Sequence, residues 1–190
     1  MTTIAVVYHS GFGHTEVQAK HVFEGALSVD GVSAILIKAE DARKELELLD
    51  KVDAIIFGSP TYLGNVSASF KRFMDETSQI WFHQKWKNKI AAGFTNSTSL
   101  SGDKLTTLIS LTIFAAQHGM IWVGQSEMNT SPPGESGHIH AVNRTGTMLG
   151  AVAQSDDASP EVTPTAGDLQ TAKMLGRRVA EIAHQFQAAA

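Results

Sequence analysis

Five short apolar runs constrain this chain more than any other feature: Ile4 to Tyr8, Ser33 to Ile37, Ala54 to Phe57, Ile90 to Phe94 and Met120 to Val123. They are nearly continuous in apolar character rather than alternating, the pattern of strands covered on both faces and so of a parallel sheet. Helical spacing appears between and after them. Ala19, Val22, Phe23, Ala26 and Leu27 share one face, as do Val66, Phe70, Phe73, Met74 and Thr77, and Leu169, Ala172, Gly176, Val179 and Ala183 mark a C-terminal helix. Glu40 to Leu49 predicts a shorter helix. Parallel neighbours need crossovers, which are almost always right-handed, so the reading is a doubly wound α/β fold with a five-stranded parallel sheet. In the expected strand order, 2-1-3-4-5, a ligand crevice lies beyond the carboxyl ends of strands 1 and 3.

The 190 residues, 43% of them hydrophobic, suit a single domain spanning 1–190. Residues 125–164 lack helical periodicity and are rich in Gly, Pro, Ser, Thr and Asn, which predicts a long irregular excursion before the last helix. With no cysteine, disulfides, thiolate zinc sites and cysteine-ligated iron–sulfur clusters are excluded, and any redox chemistry needs another carrier. A net charge of −4 without a Lys/Arg-rich run argues against nucleic acid as a partner. No positive charge precedes Ile4 and no apolar stretch approaches the ~20 residues of a membrane span, so the expectation is a cytoplasmic protein without membrane insertion.

After the first strand, Ser10-Gly11-Phe12-Gly13-His14-Thr15 leads directly into a helix beginning near Glu16. Free backbone N–H groups and the positive end of a helix dipole favour an anion there, and glycine lets the backbone come close. The loop has no Gly-Lys-Ser/Thr ending, so a triphosphate loop is unexpected, and Glu16 stands where a dinucleotide fingerprint needs its third glycine. With no Lys or Arg between Tyr8 and Ala19, neutral donors would hold a single terminal phosphate. Read alone, the segment fits an ordinary glycine-containing βα turn equally well.

The second loop, Gly58-Ser59-Pro60-Thr61-Tyr62-Leu63-Gly64-Asn65, is more informative. With the first, it resembles the flavodoxin superfamily. Followed by Phe70, Phe73, Met74 and Asp75, it resembles the tryptophan-repressor-binding-protein type of NAD(P)H:quinone oxidoreductase, a similarity that extends to 96–102, 118–120 and 169–180. The resemblance implies a flavodoxin-like fold and FMN, with Ser10, Gly11, Phe12, Gly13, His14 and Thr15 at its phosphate and Pro60, Thr61, Tyr62 and Leu63 beside its ring. It implies Thr95, Asn96, Ser97, Thr98 and Ser99 at the pyrimidine end, Gln117 and His118 near the flavin, and Trp81 walling a substrate cavity. A ring of alternating donors and acceptors does need short polar side chains at close range. Alone, Asn96 to Ser101 also fits a solvated loop with Ser101 or Asp103 capping a helix.

The chain departs from the family at three places. Tyr62 stands where an arginine is common, Phe12 where a tyrosine often meets the nicotinamide, and Gln117 where a second histidine precedes His118. His118, the one candidate catalytic acid besides Tyr62, also fits a helix C-terminal cap. Trp81, with Trp86 nearby, also fits core or a subunit contact. His138 and His140 lack an identifiable third ligand, so no metal is expected.

The resulting expectation is an FMN-dependent oxidoreductase that takes hydride from NADH or NADPH and reduces a quinone by a ping-pong route. The alternative is a flavodoxin-type one-electron carrier. The apolar segment Leu105 to Phe114 and the Trp81 to Trp86 segment suggest surface that one subunit cannot bury, hence a homodimer or homotetramer.

Overall fold

The computed structural model describes residues 1–188. The elements are β1 (Thr2–Tyr8), α1 (His14–Leu27), β2 (Val32–Lys38), α2 (Ala39–Ala42), α3 (Leu46–Asp50), β3 (Ala54–Tyr62), β4 (Asn65–Val66), α4 (Ala68–Glu76), α5 (Ser78–Phe82), β5 (Ile90–Ser97), α6 (Lys104–Gln117), β6 (Ile121–Trp122), β7 (Ala151–Gln154) and α7 (Ala166–Ala188). The main sheet runs β2-β1-β3-β5-β6 with parallel pairing throughout, which is the order read from the sequence.

The fifth position is divided. β6 pairs Ile121 and Trp122 with Ile90 and Ala91 at the start of β5. The chain then leaves the sheet, and β7 returns to pair with Phe94 through Ser97 at the other end of β5. The 125–164 excursion therefore interrupts a strand, and its residues 151–154 are regular, contrary to the sequence reading. Other boundaries shift as well. Val66 belongs to a short hairpin strand antiparallel to β3, because Ser67 caps α4 by accepting from the Phe70 N–H at 3.3 Å. The Glu40 to Leu49 segment forms two short helices instead of one, α2 and α3.

Alternation along β1 feeds two cores. Ile4, Val6 and Tyr8 face α1 and α7, while Ala5 and Val7 face the layer containing α3, α4 and α6, where Phe57, Phe70, Phe73 and Trp86 are fully buried. Each such phenylalanine contributes roughly 2–3 kcal/mol relative to exposure. On the first face, α1 and α7 approach until their backbones touch: a Cβ on Gly25 would overlap the Lys173 carbonyl, and one on Gly176 would overlap the Val22 carbonyl. That crossing fixes α1, and with it the loop at its N-terminus.

A buried ion pair holds the excursion. Arg144 Nε and Nη2 donate to the two carboxylate oxygens of Asp168 at 2.8 and 2.9 Å, and the guanidinium also bonds the Gly137 carbonyl and Gln154 Oε1. The Gln154 N–H donates to Asp168 as well, so loop, β7 and the first turn of α7 share one carboxylate.

Candidate functional site

At the carboxyl ends of β1, β3 and β5, three loops surround a cleft of about 430 Å³. Of the residues expected at a cofactor, Ser10, Gly11, Phe12, His14, Thr15, Pro60, Thr61, Tyr62, Asn96, Ser97 and Thr98 line it. Gly13, Leu63, Thr95, Ser99, Gln117, His118 and Trp81 are not in its lining.

Gly13 is the N-cap of α1, with φ 93°, a left-handed conformation that suits glycine. Its N–H donates to Ser10 Oγ at 3.1 Å, which folds the loop into a ring over the helix end. The first backbone N–H groups of α1 have no partner within the helix, so the loop presents an anion with neutral donors and a favourable dipole. The Tyr62 side chain lies so close to Gly11 that a Cβ there would overlap its hydroxyl. Burial raises the Tyr62 pKa above its ordinary value, with the Gly11 backbone opposing, so the phenol stays protonated at neutral pH.

A fourth wall was not legible in the sequence. Ser155, Asp156, Asp157, Ala158, Ser159 and Pro160, from the far end of the excursion, complete the cleft. His14 Nε2 donates to the Ala158 carbonyl at 2.7 Å, and the Pro160 ring packs where a side chain on Gly13 would go. The strap joins the β5 loop through Asn96 Nδ2 donating to Ser155 Oγ at 2.8 Å and the Ser155 N–H donating to the Ser97 carbonyl at 3.1 Å. One signal did exist: Ala151-Val152-Ala153 between Gly150 and a polar stretch is a short apolar run of the strand type. The Gly-, Ser-, Thr- and Pro-rich composition on either side masks it.

Two polar features distinguish support from contact. Thr61, Thr95 and Thr107 bond through their hydroxyls, Thr61 Oγ1 standing 2.8 Å from each of the other two, so Thr95 braces the cleft from behind. Asn96 Oδ1, in contrast, is buried at the cleft without a partner. An unpaired buried acceptor is costly, and a donor on a bound group would satisfy it.

The remaining expected residues lie elsewhere. Leu63 is the first of two left-handed residues, φ 48° and 79°, at the tip of the β3–β4 hairpin, and its side chain is fully exposed. The Ser99 carbonyl turns away to accept from Lys104. The Gln117 carbonyl accepts from Gln84 at 3.2 Å. Trp81, on α5, is half-exposed, whereas Trp86 is core and donates from Nε1 to Asp50.

His118, expected near the flavin as a candidate catalytic acid, lies outside the cleft lining. It is 1% exposed at the C-terminal end of α6, with its ring 4.6 Å from that of Trp86 and 4.8 Å from that of Phe114. Thr77 Oγ1 donates to the Met74 carbonyl and accepts from His118 Nε2 at 2.9 Å, which leaves Nδ1 as an unpartnered acceptor. Burial holds its pKa down to about 4, so at neutral pH it has no acidic proton to give.

Comparison with known proteins places this geometry. The family described as NADPH-dependent FMN reductase matches residues 7–132. The chain is 42% identical to flavodoxin FldP of Pseudomonas aeruginosa, over 99% of this chain and 100% of that one. It is 35% identical to an NAD(P)H dehydrogenase (quinone) of Archaeoglobus fulgidus, over 98% and 100%. The crystal structure of a flavodoxin, WrbA-like protein from Agrobacterium tumefaciens superposes with a TM-score of 0.73 at 41% identity, covering 97% of this chain and 99% of that one. The chain therefore belongs to the NADPH-dependent FMN reductase family, as a WrbA-type member of the flavodoxin superfamily.

Proposed function

We propose that the cleft holds FMN and that the protein is an FMN-dependent NAD(P)H:quinone oxidoreductase. The observation that carries the reading is one cleft with two complementary ends: a helix N-terminus with neutral donors at one, and the unpaired Asn96 Oδ1 at the other. Ser10 through Thr15 would hold the phosphate, Asn96, Ser97 and Thr98 the pyrimidine edge, and Pro60 through Tyr62 the flank of the ring. Bound FMN supplies hydride acceptance from a nicotinamide and transfer to a small acceptor such as a quinone.

This chain's own residues orient and exclude water. Pro160 and the Ala158 carbonyl close the strap over the phosphate loop, which suits a mononucleotide better than FAD. Phe12 and Tyr62, ring centroids 6.4 Å apart, give the cleft an aromatic rim, and Tyr62 keeps its proton on Oη. A homodimer or homotetramer is part of the reading: Leu105, Ile109 and Ile113 form an exposed stripe on α6, and Trp81 and Phe82 are exposed on α5.

The one-electron carrier stays as a second reading. It is favoured by the 42% relative named a flavodoxin and by the position of Trp81 and His118, which leaves the cleft of one chain without the expected substrate wall. FMN and FAD titrations followed by steady-state kinetics with NADH or NADPH and a benzoquinone separate the cases. FMN binding tighter than FAD, with parallel double-reciprocal lines, is the expected outcome. Bound FMN without quinone turnover favours the carrier, and absence of flavin binding sinks both.

A further inference from the structure

We infer that Lys104 is a positioning residue for the cofactor: from behind the cleft, its ammonium holds the Ser97–Ser99 segment in the shape that presents Ser97 and Thr98 to FMN. The inference rests on the FMN reading above and extends it to a residue outside the cleft lining. Lys104 is the first residue of α6 and is 2% exposed. Its Nζ donates to Ser97 Oγ at 3.1 Å and to the Ser99 carbonyl. Thr98, between those two anchors, lines the cleft, so one ammonium ties down both sides of a contact residue.

Local physics argues against a lysine here unless the ties matter. A helix N-terminus disfavours a cation, and burying an ammonium is costly without partners. The two charged groups packed nearby act in opposite directions, Asp168 attracting the ammonium and Arg144 opposing it, and neither bonds to it. Arg144, from the excursion, repels it, and Asp168, from the first turn of α7, is already occupied by the bidentate Arg144 pair. Asp103 beside it caps no backbone group of the helix with its side chain. The backbone is bent to suit: Gly102 and Asp103 both have φ 52°, which reverses the chain so that the first side chain of α6 folds back under the loop. The segment has few other holds. Ser97 Oγ reaches the Ser99 carbonyl only at 3.4 Å, and the Ser97 carbonyl accepts from the Ser155 N–H.

Burial lowers the Lys104 pKa to about 8, with Asp168 opposing and Arg144 adding to the shift. The ammonium is therefore complete below that value, and its charge-assisted bonds to the loop weaken as pH rises through it. FMN affinity should follow.

The test measures FMN dissociation constants by quenching of flavin fluorescence for wild type and Lys104→Met between about pH 7 and pH 9, with thermal unfolding of both apoproteins. Lys104→Met should weaken FMN by about tenfold at the lower pH, the scale of one charge-assisted hydrogen bond. Its apoprotein should be as stable as wild type or more so, because a buried charge has been replaced by an apolar side chain. Wild-type affinity should fall across the range, and the variant's should be flat. Unchanged FMN affinity in Lys104→Met, or a flat wild-type profile, overturns the inference. If the variant does not fold, the wild-type profile alone decides. A wild-type protein that binds no FMN at any pH instead removes the cofactor reading itself.

Discussion

A neutral histidine at position 118 makes the fold acid-sensitive. Its pKa falls from 6.5 to about 4 on burial, and Nδ1 faces no acceptor that would reward protonation. The unfolded chain therefore binds more protons than the folded one between these values, so stability is complete above pH 6.5 and is lost as pH falls toward 4. The loss attributable to this group is up to about 3 kcal/mol. Urea unfolding of wild type and His118→Gln at neutral pH and near pH 4.5 checks it: the difference between the two proteins should shrink or reverse in acid. A constant difference would mean that folding does not lower the His118 pKa, so that the ring takes up its proton as readily in the folded chain as in the unfolded one. Leu63 is a second residue whose surroundings overrule its type. A branched side chain in the left-handed region is strained, yet here it stands fully exposed at a hairpin tip on the cleft side of the sheet.

Among the elements, β7 is the regular piece of an otherwise irregular excursion, and a contact between distant residues holds it, not periodicity. Arg144 and Asp168 are 24 residues apart, and no local pattern announces their pairing. Once paired, they place β7 through Gln154, and Gln154 Nε2 in turn reaches Asp156 of the strap at 2.7 Å. Arg144→Ala leaves a buried carboxylate without its partner and should destabilise the protein by about 3–5 kcal/mol, read from the urea midpoint. FMN binding should also weaken, since the strap loses its anchor. The double variant Arg144→Met/Asp168→Leu should recover much of the stability. If the single variant costs less than about 1 kcal/mol, the pair is not what holds the excursion.

For the whole molecule, the exposed apolar surface bears on assembly. Leu105, Ile109 and Ile113 recur every four residues along α6, whose opposite face, including Leu108, Leu111 and Ala115, is buried. A helix that is apolar on both faces has a second surface to cover. Light scattering at micromolar concentration should give a dimer or tetramer, and Ile109→Glu with Ile113→Glu should shift it to monomer without lowering FMN affinity. A wild-type monomer would leave the α6 stripe uncovered and remove the homo-oligomer from the reading.

The sequence by itself determined the sheet, its order and the place of the cleft, because continuous apolar strands and amphipathic crossovers admit few topologies. It also marked the glycine-containing loop after β1 and the hydroxyl-rich segment at the end of β5 as candidate walls of that cleft, since the residues of each are contiguous in the chain. Only the tertiary structure decided which of those residues face the cleft. Thr95 and Asn96 are neighbours on β5, yet the strand's alternation sends one hydroxyl behind the cleft and one amide to its edge. The strap, the Arg144–Asp168 pair and Lys104 were beyond reach for the same reason: each depends on residues that meet through folding, and a lone lysine, arginine or proline carries no local sign of what it will touch.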